Sequence, residues 1–288
     1  TLEANPDNLT TAYLKELQKT AVNRLSVGVQ SFEEHRLQWM NRSHNAQQAV
    51  TAIENAMQMG FNVSADLIFA LPEMSTDEWQ KQLQKMIGLR PQHISAYSLT
   101  LEERTVYHHQ VAKKKIRELD DVISEEQFLL AHQQLSNAGY HHYEISNYAS
   151  TGHVAIHNSS YWKSEVYLGL GPSAHSFNGK TRKWNISNNT AYIKSVNKGV
   201  IPFESEMLTE ADRYNEFVMT GLRTAIGINR KLWDELVPVM YKADLLTEMN
   251  ELISQKFLVH DGSRIFIPFQ HWYKADQLIS KLFAMENR

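Results

Sequence analysis

RLSVGVQSFEEHRLQWMNRSHNAQQAVTAIENAMQMGFNVSADLIFALP, residues 24–72, decides the fold. Leu25, Val27 and Val29 alternate with Ser26, Gly28 and Gln30, the period-2 pattern of a strand. Val63, Ala65, Leu67 and Phe69 alternate in the same way with Ser64, Asp66 and Ile68. Between them a helix carries Ala49, Val50, Ile53, Ala56 and Met57 on one face. Gly60 follows where a left-handed residue ends a helix. The unit is strand, loop, helix, strand, so its two strands are parallel neighbours with helices outside. One strand face is polar: Ser26, Gly28 and Gln30 on the first strand, Ser64 and Asp66 on the second. A carboxylate flanked by apolar residues is costly unless paired or hydrogen-bonded. Two readings stay open: a polar cavity lined by this face, or a partly wetted face with Asp66 in a structural hydrogen bond.

Outward from this stretch the pattern repeats. TLEANP (1–6) is a short strand with Thr1 and Glu3 on one face. Thr10 or Thr11 caps a helix predicted to bury Tyr13, Leu14, Leu17 and Ala21. Ser75 and Glu78 form a capping-box pattern for a helix burying Trp79, Leu83, Met86 and Ile87, ended before Pro91. HISAYSLT (93–100) is the next strand. The order β-α-β-α-β-α-β marks a parallel α/β sheet or barrel, whose ligands bind beyond the carboxyl ends of the strands. Residues 102–121 read as charged and irregular. A helix is predicted over 124–138, closed by Gly139, then one strand in HHYEISNYA (141–149). ASTGHVAIHNSSYW (149–162) reads as a loop, YLGLGPSAHSF (167–177) holds a glycine-dense turn, and RKWNIS (182–187) is a short strand. Residues 188–207 connect to helices at about 209–225, 230–236 and 239–255. A hairpin with Asp261-Gly262 as its turn follows, then a helix from about 271. Helices followed by a hairpin resemble a winged helix.

Composition excludes several classes. The chain has 288 residues, 42% of them hydrophobic, enough for a packed core. A formal charge of −3 gives no electrostatic case for nucleic acid. The last helices mix Asp276 and Glu286 with Lys274 and Lys281 and show no basic stripe. No apolar run approaches the roughly 18 residues of a membrane span. The sequence has no cysteine, so it forms no disulfide and offers no thiolate to a metal. A cytoplasmic location fits that absence. The chain begins at Thr1, without methionine and directly in a strand, and reads as a piece of a longer protein.

TLEANP, RLSVGVQSF, NRSHN, ADLIFALP, YEISNYA, HNSSYW and GLGPSAHSF occur in this order, and together they resemble the radical-SAM proteins of the HemW heme-chaperone type, relatives of oxygen-independent coproporphyrinogen III oxidase. HNSSYW (157–162) is similar to the HNxxYW pattern of the chaperone branch. The resemblance covers nearly the whole chain and is weakest after about Ile228. It implies a partial (β/α)6 barrel lacking its first strands, over 1–101, an accessory sheet and loop region over 102–207, and a small helical winged-helix-like domain over 208–288. It implies a [4Fe-4S] cluster held by cysteines upstream of residue 1, so that this chain by itself is predicted to be inactive. It implies that Glu3, Gln30, Arg42 and Asp66 contact S-adenosyl-L-methionine (SAM). Arg42 suits a carboxylate, which a guanidinium binds through two parallel hydrogen bonds; Asp66 accepts from ribose hydroxyls. It implies heme contacts at His157, Asn158, Tyr161 and Trp162, with His175 nearby, and a heme-acceptor protein as partner. Imidazole is an axial iron ligand and aromatic rings cover a porphyrin face. Alternatives are oxidative decarboxylation of coproporphyrinogen III for the whole protein, and zinc at His153 and His157. Zinc at that i, i+4 spacing needs a helix.

Overall fold

The computed structural model describes residues 1–103 and 105–285; Glu286 lies outside them. The chain forms two compact units, the first spanning Thr1–Ala155 and the second starting at Ile156.

In the first unit β1 (Leu2–Ala4), α1 (Thr11–Leu17), β2 (Arg24–Gln30), α2 (Glu34–Trp39), α3 (Ala46–Gln58), β3 (Asn62–Phe69), α4 (Thr76–Leu89) and β4 (His93–Ser98) follow one another. α5 (Val106–Ala112), α6 (Asp121–Asn137), β5 (His141–Glu144) and β6 (Asn147–Ala149) complete it. The sheet order is β1-β2-β3-β4-β6-β5. β1 to β4 are mutually parallel, while β6 runs antiparallel to both β4 and β5.

The period-2 pattern governs burial. Leu25, Val27, Val29, Val63, Ala65, Leu67 and Phe69 are buried, together with Ala49, Ile53 and Ala56 of α3 and Trp79, Leu83 and Met86 of α4. Trp79 seats its indole against Phe69, ring centroids 5.4 Å apart, and donates Nε1–H to the Gln127 carbonyl of α6 at 2.9 Å. The apolar strand face therefore lies under helices, which leaves the polar alternates on the other side. Asn45 caps α3 with a reciprocal capping box through Gln48, and Gly60 takes φ +86° just past its end.

Several segments differ from their sequence reading. Val106–Ala112, within the charged stretch, is a helix capped by Thr105, and α6 begins at Asp121 with Asp120 as its cap. HHYEISNYA is a hairpin rather than one strand. β4 has an open edge there, and the returning β6 pairs with it, Ser95 against Asn147, with Ala96 N–H donating to the Ser146 carbonyl at 2.8 Å. No glycine or proline marks that reversal. Ala21 is exposed, and Tyr13 is 42% exposed rather than buried.

The second unit holds α7 (Ile156–Trp162), β7 (His175–Phe177), β8 (Thr181–Asn185), α8 (Asn189–Val196) and β9 (Phe203–Met207). α7 corrects the loop reading of this stretch, and α8 and β9 lie where sequence predicted a connection. β7, β8 and β9 form one antiparallel sheet. Then come α9 (Glu210–Leu222), β10 (Ile228–Asn229), α10 (Arg230–Leu236), α11 (Lys242–Ser254), β11 (Val259–His260), β12 (Arg264–Phe266) and α12 (Ala275–Ser280). The last three strands pair in the order β10-β12-β11, so helices and a hairpin make a winged-helix-like arrangement. Tyr214, Val218, Trp233, Leu245, Met249 and Ile265 fill its core, and Trp233 Nε1–H donates to the Tyr214 hydroxyl at 3.0 Å. Among the described residues no helix is long and apolar enough to cross a membrane.

Candidate functional site

The polar face of β1 to β3 opens onto a cavity of about 680 Å³. Glu3, Tyr13, Ser26, Gln30, Arg42 and Asp66 line it, with Gly28 and, after β1, Asn5 and Asn8. Glu3, Gln30, Arg42 and Asp66 share one cavity, as in the first open reading, and Asp66 also makes the side-chain hydrogen bond of the second. The pairing of β2 with β3 slips between Val27 and Gln30, and Gln30 takes a left-handed φ of 65°. A bulge of this kind re-aims a side chain. Gln30 folds back over Gly28, where an added Cβ would stand 2.8 Å from Gln30 Nε2. Only glycine accommodates that approach without displacing the amide.

Asp66 lies across from Ser95 of β4, and Ser26 Oγ stands 3.5 Å from each carboxylate oxygen. Burial pushes its carboxyl up to about 6; the Ser95 hydroxyl draws it down, Glu3 raises it, and Arg24 draws it down. Burial lowers the Arg24 guanidinium in turn, against the pull of Tyr143 and Asp66. Beside this group Ser64 Oγ bonds His93 Nδ1 at 2.7 Å, and His93 Nε2 bonds the Tyr143 hydroxyl at 2.9 Å. Burial pushes His93 down to about 3, so the ring is neutral at physiological pH. Sequence reasoning missed Tyr13, Arg24, Ser95 and Tyr143. Tyr13 reads from sequence as part of the buried stripe of α1, whereas the structure sets it at the cavity.

The second group is built on α7 and the β7-β8-β9 sheet. His157 Nε2 meets the Tyr161 hydroxyl at 3.2 Å. Tyr161 packs edge-on against Tyr167, centroids 4.9 Å apart, and Tyr167 bridges to Phe177 of β7. His175 lies two residues from Phe177, hence on the same sheet face, with its ring 6.1 Å from that of Trp184. His157 and His175 are exposed. Asn158 does not hold the segment by a side-chain hydrogen bond: its Nδ2, like Trp162 Nε1, is buried without a partner among the described residues. His153 precedes α7, so the helical spacing that zinc required is absent, and the described residues contain no group of three or more potential ligands placed around one ion.

The comparisons with known proteins agree with this architecture. The model of the Radical SAM superfamily matches residues 1–86, and that of the HemN C-terminal domain matches residues 208–268. The solved structure of coproporphyrinogen III oxidase from Escherichia coli superposes with a TM-score of 0.77 at 19% identity, covering 98% of this chain and 69% of that one. The likeness establishes a radical-SAM fold. The heme chaperone HemW of Bacillus subtilis is 34% identical over 272 residues, 93% of this chain and 72% of the relative. A mitochondrial radical S-adenosyl methionine domain-containing protein of Bos taurus is 31% identical over 299 residues, 99% of this chain and 67% of the relative. The chain belongs to the family of the HemW heme chaperones.

Proposed function

We propose that this chain binds SAM in the β1–β3 cavity and carries heme at the α7 segment, for delivery to an acceptor protein. The observation that carries the SAM reading is the convergence of Glu3, Gln30, Arg42 and Asp66 on one cavity. Their chemistry suits the ligand. Asp66 accepts hydrogen bonds from a ribose diol. Arg42 pairs with the carboxylate of the methionyl moiety, and its guanidinium makes no hydrogen bond or ion pair among the described residues. Gln30 offers both a donor and an acceptor. A nucleoside with an amino-acid tail fits a space of this size.

Heme is the cargo. His157 is the candidate iron ligand, as an exposed imidazole whose Nε2 exchanges the Tyr161 hydroxyl for iron. Tyr161, Tyr167 and Phe177 supply flat apolar surface beside it. His175, on the same face as Phe177, is the second candidate. Radical chemistry needs an iron–sulfur cluster held by thiolates. The sequence contains no cysteine, so its residues do not fit a cluster and are assigned no part in one.

The test is a heme titration followed by the Soret band, on the chain and on His157→Ala. Weakened binding and an altered Soret maximum in a variant with unchanged circular dichroism support His157. An unchanged affinity and spectrum in the folded variant reject it and move His175 to first place. An unfolded variant leaves the comparison to His175→Ala, run in the same way.

A further inference from the structure

We propose that His44 is a positioning residue of the SAM cavity, holding both the strained turn at Gln30 and the loop that presents Arg42; the proposal rests on the SAM reading above. His44 is 3% exposed, and its Nε2 lies 3.0 Å from the Val29 carbonyl oxygen. A carbonyl only accepts, so Nε2 carries a hydrogen and donates it to Val29. Nδ1 is buried with no hydrogen-bond partner among the described residues. An unpaired buried nitrogen is destabilising, and an apolar ring of similar volume would avoid that cost. The site keeps the imidazole for its one bond to Val29.

That bond lies at a strained place. The Val29 carbonyl also accepts Ser31 N–H at 2.8 Å, a tight turn centred on Gln30, which has φ 65°. Left-handed backbone is unfavourable for glutamine and persists only where its surroundings over-determine it. The two donors on Val29 do so. The outcome is the side-chain direction already described, folded over Gly28 into the cavity.

The same residue ties down the other wall. In Asn41–Asn45 every residue except Arg42 is spent on anchoring. Asn41 reverses the chain at φ 54°, and Ser43 Oγ donates to Asp7 at 2.8 Å, just beyond β1. His44 reaches Val29, and Asn45 caps α3. Among the described residues Arg42 is held by its backbone N–H alone, bonded to the Leu37 carbonyl at 2.9 Å, and its side chain lines the cavity. His44 thus links the two polar arms of the site through one carbonyl.

The test compares His44→Phe, which fills the space without a donor, with His44→Gln, whose amide restores a donor at the position of Nε2. Two measurements are made on the full chain. In the first, NMR follows the nuclear Overhauser contact between the Gln30 side-chain amide and Gly28 in the absence of ligand. In the second, calorimetric titration with SAM gives affinity. The expected result is loss of the Gln30–Gly28 contact in the folded His44→Phe chain, with SAM affinity lower by about tenfold, the scale of one mispositioned hydrogen bond. His44→Gln recovers both, and adding Gln30→Ala to His44→Phe weakens binding less than Gln30→Ala does alone. A contact that survives in His44→Phe overturns the proposal whatever SAM does. A lost contact with unchanged SAM affinity overturns it too, and reduces His44 to a structural role. Absence of SAM binding by the unaltered chain, with the contact present, overturns the SAM reading and this proposal with it. If His44→Phe does not fold, His44→Leu takes its place.

Discussion

Asp66 shows how a single side chain trades stability for chemistry. Its carboxyl is raised to about 6 by burial, above the ordinary carboxylate value of about 3.9. The folded state therefore holds the proton more tightly than the unfolded state. The associated stability is fully present below about pH 4 and is lost as pH rises through about 6. At neutral pH the buried charge destabilises the fold by up to about 3 kcal/mol, each pKa unit being worth about 1.4 kcal/mol. Asp66→Asn is expected to raise the urea midpoint at pH 7.5, to lose most of that advantage by pH 4.5, and to weaken SAM binding. A variant no more stable than the parent at pH 7.5 would mean that the carboxylate is better solvated than its surroundings indicate. His93 and His142 act in the opposite sense. Burial holds both near 3. Their stability is present above about pH 6.5, the unfolded value, and is lost as pH falls toward 3. Two imidazoles outweigh one carboxyl, so thermal midpoints should fall steadily below pH 6; a flat profile down to pH 4 would contradict neutral burial of the pair.

Among the elements, α4 is the clearest case of a local signal partly redirected by tertiary contact. Ser75 caps it as its sequence predicts, accepting Glu78 N–H at 3.1 Å. The Glu78 side chain does not close the box. It receives two bonds of 2.8 Å from the Arg36 guanidinium of α2, which also donates to the Pro72 carbonyl at 2.6 Å. A bidentate, half-buried ion pair outcompetes one more bond to a helix terminus. Ser75→Ala should lower stability by about 1 kcal/mol in urea denaturation. Glu78→Gln should cost more, since it leaves a shielded guanidinium without its charge partner. The hairpin at 259–266 shifts by one residue for a comparable reason. Asp261 N–H donates to the Arg264 carbonyl, so the loop pair is Gly262-Ser263, with Gly262 at φ 94°. The Asp261 carboxylate instead accepts from the backbone N–H groups of Ser263 and Arg264. Aspartate is chosen there for its acceptor and glycine for its backbone.

For the molecule as a whole, the two compact units carry the two proposed ligands separately: the SAM cavity within Thr1–Ala155 and the heme segment beyond it. Heme binding is therefore expected to survive substitutions in the cavity. Arg42→Ala and Asp66→Ala should leave the Soret titration unchanged while SAM titration weakens. With no cysteine in the sequence, anaerobic treatment with iron and sulfide is expected to yield neither the broad cluster absorption nor 5′-deoxyadenosine from SAM. Stable production of 5′-deoxyadenosine by this chain would refute that assignment.

Sequence by itself determined the parallel β1-to-β4 layout, the helices that cover it and the polar face with Gln30 and Asp66. Hydrophobic periodicity is a local property, and burial of one strand face under helices follows from it directly. It also put Arg42 in the loop after β2, part of which the structure makes α2. Tertiary structure alone decided what depends on neighbours distant in sequence. It turned Tyr13 toward the cavity, set Ser95 and Arg24 beside Asp66, and made a strained turn of Gln30. It folded 141–149 into a hairpin on the open edge of β4 and made a helix of 156–162. That helix has no cap residue to announce it and two serines that favour it little; the packing of Tyr161 on Tyr167 holds it. Local propensity is worth tenths of a kcal/mol per residue, and one packed aromatic contact exceeds it.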